Sequence, residues 1–301
     1  MSKIKLGIMY GGKSAEHEVS LISAENVISA LDKSKYKITK IFIDKSGKFD
    51  VNQLSDLDVV FPILHGPNGE DGTIQGLLKI LNIPFVGPGV LGSAICMDKN
   101  VTKRLLIQAG LPTAKYVVYY KKLQPPFPYP FFVKPANLGS SVGISKVKSK
   151  SEFHPAVKLA LQHDSKIIIE EAILGREIEC SVLGNENPIA SLPGEVIPND
   201  DFYTYKAKYL DPEGAKLVIP APLSPALTKQ VQDLAVTAFK TLCCEGMARV
   251  DFFLKGSDLY INELNTIPGF TNISMYPKLW EASGLPYSQL LDRLIQLAML
   301  K

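Results

Sequence analysis

Over the first third of the chain, short apolar runs alternate with longer amphipathic stretches. Ile4–Tyr10, Ile38–Ile43 and Val59–Leu64 are largely apolar. Runs of this kind separated by helical segments predict a parallel sheet covered on both faces. A helical pattern follows the first run from near Ala15 to Leu31, with Ser14 placed to cap it. Ligands of such sheets bind at the carboxyl ends of the strands. Two polar loops stand at such ends, Gly11–His17 and His65–Gly72.

Beyond Gly87-Pro-Gly, one helical stretch is predicted over Met97–Ala109, stopped by Gly110 and Pro112. A proline-dense segment, Pro125–Pro130, then opens a new unit. Its strand Phe131–Pro135 runs into the glycine-rich loop Asn137–Gly143 and on to Ile144–Val147. Strand, loop and strand make a hairpin lid, not the strand–loop–helix of a Walker A site. A helix is expected over Glu152–His163, capped by Ser151, with Pro155 in its first turn. Lys166–Glu170 and Glu177–Leu183 read as strands, the second alternating Ile178, Cys180 and Val182 against Glu177, Glu179 and Ser181. Residues 194–222 break the pattern and carry Tyr203, Tyr205, Lys206, Lys208 and Tyr209. A long irregular segment in a compact domain is usually functional. Ser224 caps a helix reaching to about Cys244, and helices from Tyr276 and Tyr287 close the chain.

Between them, Met247–Leu254 and Asp258–Leu264 form a hairpin signal. With Gly256-Ser257-Asp258 as a three-residue loop, Asp251 stands opposite Glu263 and Arg249 opposite Asn265. Strand side chains alternate faces, so all four polar groups converge on one surface. Two readings stand side by side. One is a solvated face with an ion pair. The other is an all-oxygen donor set for a hard divalent ion, with an arginine beside it to neutralise developing negative charge.

Composition narrows the class. The chain has 301 residues, 46% hydrophobic and 21% charged, with a formal net charge of +3. No basic run is dense enough to suggest nucleic acid. No run of ~18 apolar residues predicts a membrane span, and the first ten residues read as a strand, not a leader. The four cysteines, Cys96, Cys180, Cys243 and Cys244, include no Cys-x-x-Cys pair and read as buried reduced thiols of a cytosolic protein. The glycine loop at 137–143 can wrap phosphate, because small residues let backbone N–H groups approach anionic oxygens. Lys134, before a proline at the end of an apolar strand, strengthens that reading. Lys99 is a second phosphate candidate or a surface helix lysine. Glu170 and Glu177 flank a short link that can hold ribose hydroxyls while its backbone reads an adenine edge. Glu16 sits in a first helical turn, where the dipole alone favours a carboxylate. His65 follows a buried strand and precedes Gly66. The dinucleotide fingerprint Gly-x-Gly-x-x-Gly is missing after the first strand, which argues against an oxidoreductase.

Several separate stretches, in order, resemble the D-alanine–D-alanine ligases of the ATP-grasp superfamily over essentially the whole chain. They are Gly11–Ser20, Leu64–Thr73, Met97-Asp-Lys99, Val133–Gly143, Ala207-Lys-Tyr209, Ala248–Asp251 and Glu263–Gly269. The resemblance implies an α/β ATP-grasp fold of three domains, 1–95 with a parallel doubly wound sheet, 96–184 and 185–301. It implies ATP between the central and C-terminal sheets, with Lys99, Lys134, Gly139 and Ser141 near phosphates. Glu170, Glu171, Ile173 and Glu177 would lie near adenine and ribose, and Lys208 would reach the γ-phosphate as 194–222 closes. Asp251, Glu263 and Asn265 would hold two Mg2+ ions, with Mn2+ a substitute. Glu16, Ser140 and Tyr209 would form a hydrogen-bonded triad, with His65 beside the first D-alanine. Arg249 and the Gly269 amide would stabilise an oxyanion, and Ser274 would bind the second substrate's carboxylate. Tyr209 is similar to the dipeptide-forming members, against those that make D-alanyl-D-lactate; a ligase using D-lactate or D-serine is the alternative within the family. A cytoplasmic homodimer in cell-wall precursor synthesis is also implied. Glu171-Ala172 and Ile267 depart from the family's usual residues. A non-catalytic nucleotide sensor is the binding-module alternative; it predicts loss of the metal ligands, which are all present.

Overall fold

A computed structural model describes residues 2–120, 124–198 and 214–301. Its strands fall into three sheets among the described residues. The first is parallel, in the order β2 (Tyr36–Ile43), β1 (Ile4–Gly11), β3 (Val59–Ile63). One face is covered by α1 (His17–Ala30) and by α8 (Tyr287–Met299), the last helix of the chain; Leu6, Ile8 and Phe61 meet Val27, Leu291 and Leu294 there. Met9, Ile41 and Val60 on the other face pack with Ile74 and Leu78 of α2 (Thr73–Ile80). Both faces are therefore apolar, as the uninterrupted runs require. α1 begins at His17, two residues later than the sequence suggests, because the Ser14 hydroxyl accepts the N–H of Glu16 instead of capping a helix.

The expected helix over 97–109 is found as α4 (Lys99–Gln108), and a helix the sequence reading did not mark, α3 (Val90–Met97), stands directly before it. α3 ends at Asp98, whose extended backbone breaks the run. The Asp98 carboxylate then caps α4, accepting from Asn100 N at 3.0 Å and Val101 N at 3.2 Å. A capping aspartate inside an apolar periodicity is the stop signal that periodicity alone misses. The second sheet has the order β4 (Tyr116–Val118), β7 (Ile167–Glu171), β5 (Phe131–Pro135), β6 (Ser145–Val147), all antiparallel. β5 and β6 flank the glycine loop as a hairpin. Below them α5 (Lys150–Ala160) starts after Ser149, not Ser151, and so carries Pro155 in its interior.

The third sheet runs β11 (Ala215–Val218), β10 (Gly194–Pro198), β8 (Arg176–Gly184), β12 (Gly246–Lys255), β13 (Asp258–Asn265), with β9 (Ile189–Ala190) beside β8. β8 is thus a central strand of this sheet, although a division at 184/185 would assign it to the preceding unit. Its apolar face packs on α6 (Pro225–Thr241), which Ser224 caps through Leu227 N at 3.2 Å. α7 (Met275–Ala282) lies on the other side, with Tyr276 fully buried. Cys96, Cys180 and Cys244 are buried, whereas Cys243 is exposed, on the turn that leaves α6. No helix of the described residues is long and apolar enough to cross a membrane.

The hairpin β12–β13 corrects one step of the sequence reading and keeps its consequence. Lys255 pairs Asp258, so the turn has two residues, not three. The register then shifts by one at a bulge between Phe252 and Asp251, where Asn262 is the extra residue of β13. Beyond the bulge Asp251 stands opposite Glu263 and Arg249 opposite Asn265, as expected. On its other side Asp251 pairs Glu179 of β8.

Candidate active site

A cavity of about 320 Å3 lies between the second and third sheets. One wall carries Lys134 and Lys146 with Phe132; the other carries Glu263, Asn262 and Phe253. Gly139, Ser140 and Ser141 of the glycine loop and Lys99 at the start of α4 also line it, as do Ile173, Leu174 and Gly175 on the link between β7 and β8 and Glu177 at the start of β8. Apolar side chains and cations together suit a ligand with a flat ring system and an anionic tail.

The cations are placed by their elements. On β5, Phe132 and Lys134 share a face, and Lys134 Nζ stands 5.4 Å from the Phe132 ring centre. Lys99 is the first residue of α4, where it donates to Leu138 O of the glycine loop and lies 3.7 Å from Glu263. Loop residues Ser140 and Ser141 both have positive φ, +52° and +61°. Consecutive left-handed residues with side chains store strain and aim successive N–H groups inward. The loop is anchored at its base, where Asn137 N and Nδ2 donate to Asp164 at 2.8 and 2.9 Å.

On the facing wall the Arg249 guanidinium donates from Nε and Nη2 to the two oxygens of Asp251, each at 2.7 Å. Nε also lies 2.9 Å from Glu179. Asn265 Nδ2 donates to Asp251 at 2.9 Å. Asp251, Glu263 and Asn265 are thus brought together by register, and as oxygen donors they fit a divalent cation. Two carboxylates and an amide do not close a protein cage, which is how Mg2+ is usually held when substrate phosphates complete its shell.

Four residues, Glu16, Ser140, His65 and Glu70, meet where the first sheet joins this cavity. The Ser140 hydroxyl donates to the Glu16 carboxylate, tying the loop after β1 to the glycine loop. His65 is buried and its Nδ1 donates to Ile267 O at 3.1 Å. Burial pulls this imidazole below its usual pKa, so at neutral pH it is uncharged, with Nε2 free to accept. Glu70 completes the group, accepting from Gly66 N at 2.6 Å and Ile267 N at 3.4 Å. Burial, and then the Glu16 carboxylate nearby, push Glu70 up to about 8.

Several expected residues stand elsewhere. Glu170 is almost fully buried, off the cavity lining, with Lys103 at 2.7 Å and Lys134 at 2.6 Å. Burial alone would raise its pKa, but the two ammonium groups outweigh it and bring it to about 2. Its oxygens are engaged by lysines, which places it as a brace behind Lys134. Glu171 also lies off the cavity lining and accepts from Lys115 N at 2.8 Å. The Ser274 hydroxyl is held within its own turn, at 2.9 Å from Thr271 N and 2.8 Å from Thr271 Oγ1. Gly269 is buried on the turn after β13. Tyr209 and Lys208 lie outside the described residues.

Sequence reasoning missed Glu70, Lys103 and Glu179. Lys103 had a signal, since it lies four residues from Lys99 on the same helix face. Glu179 alternates with Cys180 on β8, but which strand would lie beside it is not a local property.

Comparison with known proteins places this geometry. Residues 100–296 match the family model described as D-ala D-ala ligase C-terminus, and residues 5–55 and 49–88 match D-ala D-ala ligase N-terminus. The chain is 48% identical to the D-alanine–D-alanine ligase of Oceanobacillus iheyensis, covering 99% of this chain and 95% of that one. It is 46% identical to D-alanine–D-alanine ligase A of Escherichia coli, covering 99% and 96%. Among solved structures, the D-alanine–D-alanine ligase of Coxiella burnetii superposes with a TM-score of 0.87 at 41% identity, covering 99% of this chain and 94% of that one. The VanG D-Ala:D-Ser ligase of Enterococcus faecalis also gives 0.87, at 36% identity and 99% and 100% coverage.

Proposed function

The chain belongs to the D-alanine–D-alanine ligase family, and we propose that it joins two D-alanines at the expense of ATP, through a D-alanyl phosphate. The observation that carries this reading is the single cavity whose lysine wall faces a carboxylate wall, with Glu16 and Ser140 joined at its end. A carboxylate is a poor electrophile, and phosphorylation converts it into an acyl donor. Lys134 and Lys99 bind and orient the phosphates, and the 139–141 loop covers them. Asp251, Glu263 and Asn265 would hold divalent metal, Mg2+ with two ions in the finer proposal; when bound it neutralises phosphate charge. Glu16, oriented by Ser140, receives the ammonium of the first D-alanine, and neutral His65 lies beside it. Arg249 and the Gly269 amide are set to stabilise the tetrahedral oxyanion when the second amine attacks. Segment 194–222, with Lys208 and Tyr209, is proposed to exclude water from the acyl phosphate. A homodimer acting in the cytoplasm to supply cell-wall precursor completes the proposal.

One observation favours a second acceptor. The superposition on a protein named a D-Ala:D-Ser ligase is as close as that on a protein named a D-alanine–D-alanine ligase. The test is incubation with ATP, Mg2+ and D-alanine, alone and with equimolar D-serine or D-lactate, reading phosphate and product mass. D-alanyl-D-alanine matching the phosphate released is the expected result. A predominant mixed product would reassign the acceptor, and no phosphate release would sink the ligase reading for this chain. Tyr209→Phe is expected to raise the share of ester formed with D-lactate, most at lower pH, where more amine is protonated. An unchanged ratio would remove Tyr209 from acceptor choice.

A further inference from the structure

Lys103 is the most deeply buried cation of the described residues, about 1% exposed, one helical turn along α4 from Lys99. Its Nζ lies 2.7 Å from Glu170 Oε2, donates to Thr113 Oγ1 at 2.7 Å, and sits 5.8 Å from the Tyr116 ring centre. The other oxygen of Glu170 takes Lys134 Nζ at 2.6 Å. Of these three charged groups only Lys134 lines the cavity. On the far side, Thr113 Oγ1 donates to Ile261 O at 2.8 Å. Ile261 directly precedes Asn262 and Glu263, which line the opposite wall. One buried polar chain therefore runs from wall to wall behind the cavity.

Stability does not ask for this chain. An apolar packing of equal volume is commonly as good as a buried ion cluster, and a lone Glu170–Lys134 pair would already be neutral. The second lysine changes the charge that the cavity sees. We propose that Lys103 is a positioning residue of the nucleotide site. By neutralising Glu170 it leaves the charge of Lys134 uncompensated toward a polyphosphate, and through Thr113 it fixes the facing strand. Without Lys103, Glu170 and Lys134 close into a neutral pair and the phosphates meet a cancelled charge. The inference rests on the reading of this cavity as the ATP site.

The test is calorimetric titration with ATP and with adenosine, in the absence of D-alanine, on the wild type, Lys103→Met, Glu170→Gln and Lys103→Met/Glu170→Gln. Lys103→Met is expected to weaken ATP about tenfold or more while leaving adenosine nearly unchanged. The double variant, which removes both charges, is expected to recover most of that loss. A merely structural role would move ATP and adenosine together, and the second substitution would add to the damage. Wild-type ATP affinity in Lys103→Met, or no recovery in the double variant, overturns the proposal. If Lys103→Met alone does not fold, the substitution is read in the Glu170→Gln background. There a change below about threefold supports the proposal and a loss near tenfold overturns it. Lys134→Met separates the premise: if it leaves the ATP–adenosine difference intact, the cavity is not the polyphosphate site.

Discussion

The two walls of the cavity carry opposite charges and compensate them by opposite means. On the four-stranded wall one buried carboxylate, Glu170, is shared by Lys103 and Lys134, and the surplus is positive. On the facing wall one guanidinium, Arg249, is shared by Asp251 and Glu179, with Glu263 in the same row across β8, β12 and β13. Lys99, 3.7 Å from Glu263, links the two walls. Under the proposed function a polyphosphate would meet the lysines and a divalent cation the carboxylates. Burial makes the arrangement effective, because in water the same charges would be screened.

The sharpest way to break the comparison is to neutralise the carboxylate wall alone. Asp251→Asn keeps volume and the Asn265 contact but removes one metal-ligating charge and the Arg249 ion pair. Turnover is expected to fall by about 10^3 or more while the far-UV spectrum and ATP affinity without metal stay close to wild type. Turnover within tenfold of wild type would show that Asp251 holds no catalytic metal, and the wall would be an ordinary ion-pair surface.

A smaller effect is expected where the first sheet meets both walls. Glu16→Gln preserves a group that can accept from Ser140 but removes the charge offered to an ammonium. KM for D-alanine should rise about 10- to 100-fold, with ATP binding unchanged, because a hydrogen-bonded ion pair is worth about 1.5–3 kcal/mol. If ATP binding falls in parallel, Glu16 acts by holding the glycine loop down through Ser140, and the division of labour between the junction and the walls is wrong.

The carboxylate wall was legible in sequence and the lysine wall only partly so, for a physical reason. Arg249, Asp251, Glu263 and Asn265 lie on two adjacent strands, so alternation and a short turn suffice to bring them together. The turn itself was misjudged. The missing residue sits in the bulge at Asn262, and the two miscounts cancel to the same register. Lys103, Glu170 and Lys134 come from a helix and two strands, 31 to 67 residues apart. No local periodicity places them in contact, so the sharing of Glu170 by two lysines is visible only in the fold. The parallel first sheet was legible because burial on both faces leaves a continuous apolar run, whereas α3, two turns long and directly before Asp98, was not marked as a helix. Glu70 sat inside a quoted loop, but its partner Ile267 lies 197 residues away, and only folding gives it a titration in the neutral range.

That titration supplies the finest test, because it concerns a buried carboxyl whose pKa is raised to about 8. Burial, with Glu16 adding to it, raises Glu70 from 4.5 to about 8. A carboxyl whose folded pKa lies above its unfolded value favours the native state below the unfolded value. That contribution is lost as pH rises from about 4.5 toward 8. Glu70→Gln removes the ionisation and keeps a carbonyl oxygen for Gly66 N, while the longer 3.4 Å contact from Ile267 N to the other oxygen is given up. Thermal melts at pH 5, 6.5, 8 and 9 should therefore find the two proteins similar at pH 5. By pH 8 the variant should lead by about 3 °C or more, as wild-type Glu70 loses its proton beside Glu16. The same substitution should leave the Asp251 and Lys134 effects untouched, since it alters neither wall. Parallel melting curves across the range would show that Glu70 is ionised in the native state, and the junction would then carry the charge of Glu70 beside that of Glu16.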